Sequence, residues 1–308
     1  MTLKTRVCGV FLFEQEAKRS NKMKKILSTV VGVAALAVAA TASAGATKAY
    51  WATSGMFGPF AINGLIPTIP ADEVRDVTIP VSMWIIEHDK GLVVFDTGNN
   101  IEVVNNCKGY WAAGLCDFLK PNQTADTTID GWLKKLGYTT EDVKVVVTSH
   151  AHLDHAGNLK MFPNAIHAFQ KAELYQGWWP EKFQGRDGTG PFVIADLEGT
   201  REYNFLELDG DYDLFGDGSM MILATPGHTI GHQSMLVTLD SGKRMIIAQD
   251  AVWMQENLDG HAAGLNFSVQ AYTNSVARLK FMKDLQDIPL MMGHDENQWA
   301  AGGDRWYK

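Results

Sequence analysis

Five apolar segments of this chain share one arrangement: a short run with strand character ends, and a histidine or an aspartate follows at once. Open α/β sheets carry their functional groups at the carboxyl ends of the strands, along one edge. We therefore expect the five endings to converge at one edge of the fold. The endings are VKVVVTS before His150, MMILATPG before His228, RMIIAQ before Asp250, PLMMG before His294 and GLVVF before Asp96.

The ending after VKVVVTS holds four potential metal ligands within six residues: His150, His152, Asp154 and His155. The first two lie on the same side of an extended segment. The other two face the opposite side as the chain begins a helix at Ala156, so one loop can serve two ions. Neutral imidazole and carboxylate suit zinc, iron or manganese better than calcium, which prefers oxygen ligands throughout. The pattern predicts a metal site with room for two ions.

The first 44 residues are unlike the rest of the chain. Met23–Lys25 carries positive charge, Ile26–Val38 is apolar, and Ala42–Ala44 consists of small residues. This order predicts a secretory signal peptide that is cut after Ala44 and a true translation start at Met23. The alternative for residues 1–22 is a cytoplasmic arm. We expect residues 45–308 to form the functional domain of a periplasmic or secreted protein.

The charge balance argues against a nucleic-acid partner. The chain has 27 basic and 35 acidic residues, of which the predicted leader contains seven and two. The remaining 20 basic and 33 acidic residues give a net charge of −13, whereas nucleic-acid binding needs positive charge. After the leader no apolar run is long enough to span a membrane, so we expect no membrane contact.

Two cysteines remain after the leader, Cys107 and Cys116, nine residues apart. An even number of cysteines in an exported chain predicts a disulfide. Neither cysteine stands near a metal-type histidine in the sequence, so a thiolate ligand has little support. We expect a disulfide that closes a small loop.

Hydrophobic periodicity predicts alternating strands and helices after the leader. VTIPVSMWIIEH and KGLVVF are typical of two adjacent strands joined by a turn at residues 88–90. Ile129–Leu136 has helical spacing, Gly137 ends that helix, and the valine run after it is typical of a buried parallel strand. A further helix begins near Lys171.

The second half repeats this alternation, which predicts two sheets with helices outside. Tyr50–Pro80 is turn-rich and indicates a loop or short hairpin over the site, and the Gly-rich stretch Trp178–Thr200 indicates an insertion with a binding role. The remaining predicted elements are strands at Met220–Ala224, Ser234–Leu239, Met245–Ala248 and Leu290–Met292 and a helix at Ala271–Leu285.

These motifs together resemble a known family. The chain is similar to the metallo-β-lactamase superfamily over Tyr50–Trp299. The motifs that carry this likeness are FDTG, HAHLDH, TPGHTIGH, a strand that ends in AQD, and GHD near the C-terminus. Within the superfamily, the flanking segments resemble the N-acyl homoserine lactonase branch. These segments are IPVSMWIIEHDKGLVVFDTG, SHAHLDHAGN, FPNA, KAELY and GHDENQW. The resemblance implies an α/β fold, the αββα sandwich of the superfamily. It also implies a hydrolase that opens a small lactone or ester, with N-acyl homoserine lactones as the candidate substrates.

The resemblance further implies two divalent ions, expected to be zinc. Two ions about 3.5 to 4 Å apart would bring the pKa of a shared water toward 7, so that a bridging hydroxide opens the ring. Asp154 would pass the proton, and Asp96 would orient a ligand histidine through a hydrogen bond. The implied ligands are His150, His152 and His228 for one ion, Asp154, His155 and His294 for the other, and Asp250 between them, which makes Asp154 and Asp250 the catalytic carboxylates.

Four other histidines are expected to have no metal role. His232 is interpreted as a structural residue at the head of the next strand. His88, His167 and His261 have no cluster of ligand residues near them in the sequence.

One residue departs from the pattern of the branch. Many of its lactonases carry a tyrosine three residues after the bridging aspartate, and this chain has Trp253 there. Losing an oxyanion donor typically costs about 2.7 to 4 kcal/mol, so another donor replaces the tyrosine or the substrate differs. Trp253 is interpreted as a wall for an apolar acyl chain, with Met56, Phe57 and Trp178 as further candidates; ordinary core or loop packing is the alternative for all of them.

Other functions remain open at this point. The β-lactamases of the superfamily generally have cysteine or serine where Asp250 stands, which argues against that activity. Thiolester hydrolases of the glyoxalase II kind share the ligands, but only fourteen residues follow His294, too few for their helical substrate domain. A metal-loaded protein that binds without catalysis is the third alternative, favoured by Trp253.

Overall fold

The structure is a computed structural model that describes residues 45–111, 113–178 and 191–308. Two β-sheets organise this part of the chain. These residues belong to one compact unit. The predicted leader and residues 179–190 of the predicted insertion lie outside the described residues. The strands are β1 (Ala46–Ala61), β2 (Asp76–His88), β3 (Leu92–Phe95), β4 (Val143–Val147), β5 (Ile166–Gln170), β6 (Asn204–Leu208), β7 (Tyr212–Asp213), β8 (Met220–Ala224), β9 (Gln233–Thr238), β10 (Arg244–Gln249), β11 (Leu290–Met292) and β12 (Arg305–Tyr307).

Helices connect the strands and cover the sheets. The longest helix among the described residues has eighteen residues, Val269–Gln286, and is capped by Ser268, whose side chain accepts a hydrogen bond from the amide of Ala271. The helices are α1 (Ile62–Leu65), α2 (Glu102–Tyr110), α3 (Ala113–Leu119), α4 (Ile129–Leu136), α5 (Lys171–Trp178), α6 (Ile194–Leu197), α7 (Gln255–Leu258), α8 (Val269–Gln286) and α9 (Glu296–Gly302).

The sheets agree with most of the predicted strands. Within the described residues the larger sheet has seven strands in the order β12-β1-β2-β3-β4-β5-β6, and the smaller has five in the order β11-β10-β9-β8-β7. Strands β3 to β6 are parallel neighbours, as the valine run of β4 predicted. The antiparallel pair of β2 and β3 is confirmed. In the second half β8 and β11 match the prediction, and β9 and β10 differ from it by one residue at each end.

Apolar side chains fill the space between the sheets and the space under the outer helices. Trp51 of β1 and Trp84 of β2 stack with ring centroids 5.3 Å apart, in the cluster that also contains Ile247 of β10. Ile129 of α4 packs with the larger sheet, and Val276 of α8 packs with the smaller one. The order helix, sheet, sheet, helix confirms the predicted αββα sandwich.

Two predictions of local structure need correction. Tyr50–Pro80, predicted as a loop or short hairpin over the site, belongs to a long hairpin: Tyr50–Ala61 is the second part of β1, and Asp76–Pro80 begins its antiparallel partner β2. Both faces of β1 are largely buried, so the alternation of apolar and polar residues that marks a half-exposed strand is missing. No helix begins at Ala156, because the chain there forms turns that hydrogen bond to the loop after β3, with the Gly157 amide donating to Gly98 O.

The predicted disulfide is present. It joins Cys107 of α2 to Cys116 of α3, with the Cα atoms 5.9 Å apart. The two helices form a hairpin, which also has an ion pair between Lys108 and Asp117. None of the helices in the described ranges is both long and apolar enough to cross a membrane.

Candidate metal centre and adjoining cavity

The five predicted endings meet between the two sheets. Asp96 and His150 follow strands β3 and β4 of the larger sheet. His228, Asp250 and His294 follow strands β8, β10 and β11 of the smaller sheet. The metal centre, if occupied, would therefore be held by both sheets rather than by one loop.

The structure brings all seven predicted ligands together. Three sets of side chains in the described ranges offer nitrogen or oxygen atoms that lie within 4.8 Å of one another. We name two of these sets the first group and the second group. The first group is His150, His152 and His228, the second group is Asp154, His155 and His294, and the third set is His150, His155 and Asp250.

Asp250 lies between the two groups and turns one oxygen to each. Its Oδ2 is 3.1 Å from Nε2 of His228 and 3.9 Å from Nε2 of His150. Its Oδ1 is 3.1 Å from Nε2 of both His155 and His294. A carboxylate that faces two ligand sets in this way has the geometry of a bridge between two cations.

The other two ligands complete opposite sides of the centre. His152 Nδ1 lies 3.0 Å from His228 Nε2, in the first group. Asp154 Oδ2 lies 3.6 Å from His155 Nε2 and 3.8 Å from His294 Nε2, in the second group. The loop from residue 150 to 155 thus contributes to both groups, in the manner that the spacing predicted.

Several ligand atoms fit a cation because they lack any other partner. His150 Nε2, His155 Nε2 and Asp250 Oδ1 are buried and make no hydrogen bond to a described residue outside the ligand set. Leaving a buried polar atom unsatisfied costs about 1 to 3 kcal/mol. Nitrogen and carboxylate donors are those that zinc and similar divalent ions prefer, so the residues present fit such ions.

The histidines differ in their electrostatics. Burial lowers the pKa of His150, His152 and His228, which favours the neutral imidazole that metal binding requires. Burial opposes protonation of His155 and His294 as well, but neighbouring carboxylates, Asp250 among them, outweigh it and raise their pKa. Positive charge is therefore favourable next to Asp250, whether it comes from a proton or from a cation.

Hydrogen bonds to Nδ1 fix the rings of three ligands. His155 Nδ1 is 2.8 Å from Asp96 Oδ2. The Nδ1 atoms of His228 and His294 are each 2.7 Å from a backbone carbonyl, that of Leu265 and that of Pro80. Such contacts select the tautomer that leaves Nε2 free to bind, so all three rings present Nε2 toward Asp250.

Asp96 contacts more than the ligand histidine. It accepts hydrogen bonds from the amide and the hydroxyl of Ser149, at 2.6 and 2.7 Å, and from Gln249 Nε2. Both Asp96 (φ 63°) and Gln249 (φ 46°) have left-handed backbone conformations, which non-glycine residues seldom adopt. Sequence reasoning missed Gln249, although it directly precedes Asp250.

The remaining histidines lie outside these groups. His232 immediately precedes β9 and its Nδ1 is 2.9 Å from Thr225 Oγ1. His88 contacts Ser219 Oγ, and His167 contacts the backbone carbonyl of Phe162. His261 Nδ1 is 3.0 Å from a threonine hydroxyl on the surface.

A cavity of about 460 Å³ opens onto Asp154, Asp250 and His294. Phe57 and Trp253, two of the predicted wall residues, line it. Met56 does not, because neighbouring residues of an extended strand point to opposite faces. The side chain of Trp178 lies outside the described residues. The other apolar lining residues are Phe60, Leu65, Pro67, Ile79, Leu115, Phe118, Leu119, Leu153, Pro191 and Leu265.

One wall of the cavity is the disulfide-linked hairpin of α2 and α3, which sequence reasoning missed. Leu115, Phe118 and Leu119 of α3 line the cavity, and Phe118 lies 5.4 Å from the ring of Phe60. Spacing of three and four residues marks one face of a helix. That spacing around the second cysteine, Cys116, was the available signal.

Trp253 stands against the metal centre itself. Its ring centroid lies 5.5 Å from that of His228 and 5.9 Å from that of His294. The side chain is buried, and Nε1 has no hydrogen-bonding partner in the described part of the chain. Trp253 therefore forms the junction between the ligands and the apolar cavity.

Comparison with known proteins gives one consistent family. The sequence profile of the metallo-β-lactamase superfamily matches residues 77–285. An N-acyl homoserine lactonase, AttM of Rhizobium radiobacter, is 36% identical over 233 residues, which cover 73% of this chain and 85% of that protein. An N-acyl homoserine lactonase from a Bacillus species is 28% identical over 231 residues, covering 75% of this chain and 86% of that protein.

Solved structures show the same fold. An N-acyl homoserine lactone hydrolase with N-hexanoyl-L-homoserine bound at its catalytic metal centre has a TM-score of 0.70 at 23% identity, covering 83% of this chain and 96% of that one. AidC, a dizinc quorum-quenching lactonase in complex with a product, has a TM-score of 0.61 at 16% identity, covering 83% of this chain and 92% of that one. At these identities the likeness establishes the fold alone.

Proposed function

Because this chain belongs to the metallo-β-lactamase superfamily, in its N-acyl homoserine lactonase branch, we propose that it hydrolyses the ester bond of a lactone ring. N-acyl homoserine lactones are the proposed substrates. The proposal extends to two divalent metal ions, one at the first group and one at the second, with zinc as the proposed metal.

The single observation that carries the proposal is the position of Asp250. Its two oxygens face the two ligand groups at 3.1 Å, and the apolar cavity opens directly beside it. Two divalent ions at such a site supply Lewis acidity toward a carbonyl oxygen and lower the pKa of a water that they share. An ester carbonyl in the cavity next to Asp250 is therefore within reach of that chemistry.

The chain's own residues divide the remaining tasks. Asp154 lines the cavity and its side chain is 14% exposed, against 4% for Asp250. It is the carboxylate that can both reach the substrate and exchange a proton with the leaving oxygen. Trp253 and the α2–α3 hairpin supply an apolar surface for an acyl chain and exclude water from it.

A panel of substrates tests the proposal. Purified protein with two equivalents of bound zinc is incubated with short- and long-chain N-acyl homoserine lactones, a simple ester, a thiolester and a β-lactam, and acid release is followed. We expect release from the lactones to be fastest. Zinc-loaded protein that releases no acid from any lactone contradicts the proposal: faster thiolester or β-lactam cleavage indicates another hydrolase, and binding without turnover indicates a non-catalytic protein.

Export to the periplasm or the medium is a further part of the proposal. The signal-like order of residues 23–44 and the disulfide between Cys107 and Cys116 both favour an oxidising compartment. Cell fractionation followed by N-terminal sequencing tests it, and we expect a mature chain that begins at Gly45. A chain in the cytoplasm that retains residues 23–44 contradicts it.

A further inference from the structure

A buried carboxylate on α5, Glu173, joins the two loops that carry the first group. Its Oε1 accepts a hydrogen bond from the amide of Ala151 at 2.8 Å. Its Oε2 accepts hydrogen bonds from the hydroxyl of Thr229 at 2.6 Å and from the amide of Gly231 at 3.0 Å. Ala151 stands between His150 and His152, and Thr229 directly follows His228. All three ligands of the first group are therefore next to a residue that Glu173 holds.

We propose that Glu173 is a positioning residue that sets the separation of the two ligand loops and thereby the metal affinity of the first group. The inference rests on the proposed metal centre. Its three hydrogen bonds described above come from residues beside the ligands and not from the ligands themselves, and Glu173 does not line the cavity.

The approach of the loop to α5 is too close for ordinary packing. A Cβ atom at Gly231 would lie 2.3 Å from the backbone nitrogen of Glu173, so only glycine fits there. Gln176, one turn further along α5, accepts a hydrogen bond from the amide of Ile230 at 3.2 Å. The loop after His228 is thus fixed to one helix at several points, and Glu173 alone among these contacts also holds the loop of His150.

The second group depends on other residues. His155 is held by Asp96, and His294 is held by the carbonyl of Pro80. The loop after β4 also carries Asp154 and His155, but none of the residues in the described structure that donate to Glu173 is next to a ligand of the second group. A substitution at Glu173 is therefore expected to weaken one metal site and to leave the other nearly unchanged, which a general loss of stability would not do.

Two conservative variants separate the contacts. In Glu173→Gln the NH2 group faces a backbone N–H in either orientation, that of Ala151 or that of Gly231, so one of the two loops loses its acceptor. In Thr229→Val the hydroxyl donor is lost while Glu173 remains. Glu198→Gln, at an exposed position, is the matched control for the same change of charge.

Binding of the metal alone is the readout. Metal-free protein is titrated with Co²⁺ and with Zn²⁺, and the stoichiometry, the affinities and the Co²⁺ absorption bands are measured. We expect wild type and Glu198→Gln to bind two equivalents. Glu173→Gln should bind one equivalent as tightly as wild type and the other about 10- to 100-fold more weakly, and Thr229→Val should show a smaller loss at the same site.

The outcomes distinguish the two proposals. Wild type that binds no metal contradicts the proposed function. Wild type that binds two equivalents while Glu173→Gln does so with unchanged affinities, or with equal losses at both sites, overturns the role of Glu173. Thermal unfolding of each metal-free variant is measured alongside, and Thr229→Val decides the matter if Glu173→Gln does not fold.

Discussion

Asp96 Oδ2 lies 2.8 Å from Nδ1 of His155, and both side chains are fully buried. The contact couples the end of β3 to the ligand loop after β4, so that two neighbouring strands determine the direction of one ligand nitrogen. Burial raises the pKa of Asp96 above its usual value, although His155 and the hydrogen bonds of Ser149 act in the opposite direction. The carboxylate is thus held in place by four donated hydrogen bonds rather than by solvent.

Replacing Asp96 with asparagine should weaken the second group. Ser149 N donates to Oδ1, whereas the other three donors, His155 among them, lie at Oδ2. The NH2 group of asparagine therefore faces at least one donor in either orientation, which weakens the contact that orients His155. We expect metal affinity at the second group to fall about 10- to 100-fold, measured by zinc titration of the metal-free protein. Asp126→Asn, on an exposed turn, is the control. Undiminished affinity for both equivalents in Asp96→Asn would show that His155 needs no such support.

The indole of Trp253 should act as a wall and not as a donor. Trp253→Phe keeps an aromatic ring between His228 and His294 but removes the N–H group. We expect its kcat to stay within about threefold of wild type, since loss of an oxyanion donor would cost roughly 10²- to 10³-fold. Steady-state kinetics on a lactone that wild type hydrolyses decides the point. A fall in kcat of that larger size would make the unpaired Nε1 a hydrogen-bond donor to the substrate.

The disulfide between Cys107 and Cys116 should affect both stability and substrate preference. Closing a loop of this length stabilises a protein by about 2 to 3 kcal/mol through the entropy of the unfolded chain. In the Cys107→Ser/Cys116→Ser variant we expect that loss in urea unfolding. We also expect KM to rise more for long-chain than for short-chain lactones, because α3 carries part of the apolar wall.

Phe118→Ala separates these two effects. Phe118 lines the cavity but is 57% exposed, so its removal should change the unfolding free energy by less than about 1 kcal/mol. The rise in KM for long acyl chains should nevertheless persist. Equal KM changes for short and long chains would place the acyl chain away from this wall.

The stability of the protein should fall as pH rises toward 7 because of Asp196. Burial raises the pKa of this carboxyl from 3.8 to about 7, although Tyr110 and Asn100 donate hydrogen bonds that lower it. Between these two values the folded protein binds more protons than the unfolded chain, so raising the pH lowers the unfolding free energy. The full difference is on the order of 4 kcal/mol.

Asp196→Asn isolates this contribution. Tyr110 and Asn100 both donate to Oδ1, and an asparagine oxygen can accept both. Urea unfolding from pH 4 to pH 8 should show the variant gaining stability relative to wild type as pH rises, with most of the gain present by pH 7. Asp126→Asn, at an exposed position, is the control for the change of charge. A constant difference between Asp196→Asn and wild type would mean that Asp196 titrates normally.

The strands and their ligand-bearing ends were predictable from local patterns. An apolar run such as VKVVVTS indicates a strand that is buried on both faces, and His150 directly after the run indicates where the strand ends. The 16-residue strand β1 was missed because its irregular pairing around Met56 and Phe57 places glycine and proline inside a strand. Those residues carry the same local signal as a turn.

The sequence by itself determined the chemical character of the site, because ligand identity and strand-end position are properties of individual residues and their neighbours. Only the tertiary structure decided which atoms meet. Three features depend on how the two sheets pack face to face: the two-sided position of Asp250, the hydrogen bonds by which Glu173 holds Ala151 and Thr229, 78 residues apart, and the hairpin wall of the cavity. Such packing brings together residues that are distant in the chain, so the spacing of neighbouring residues cannot predict these contacts.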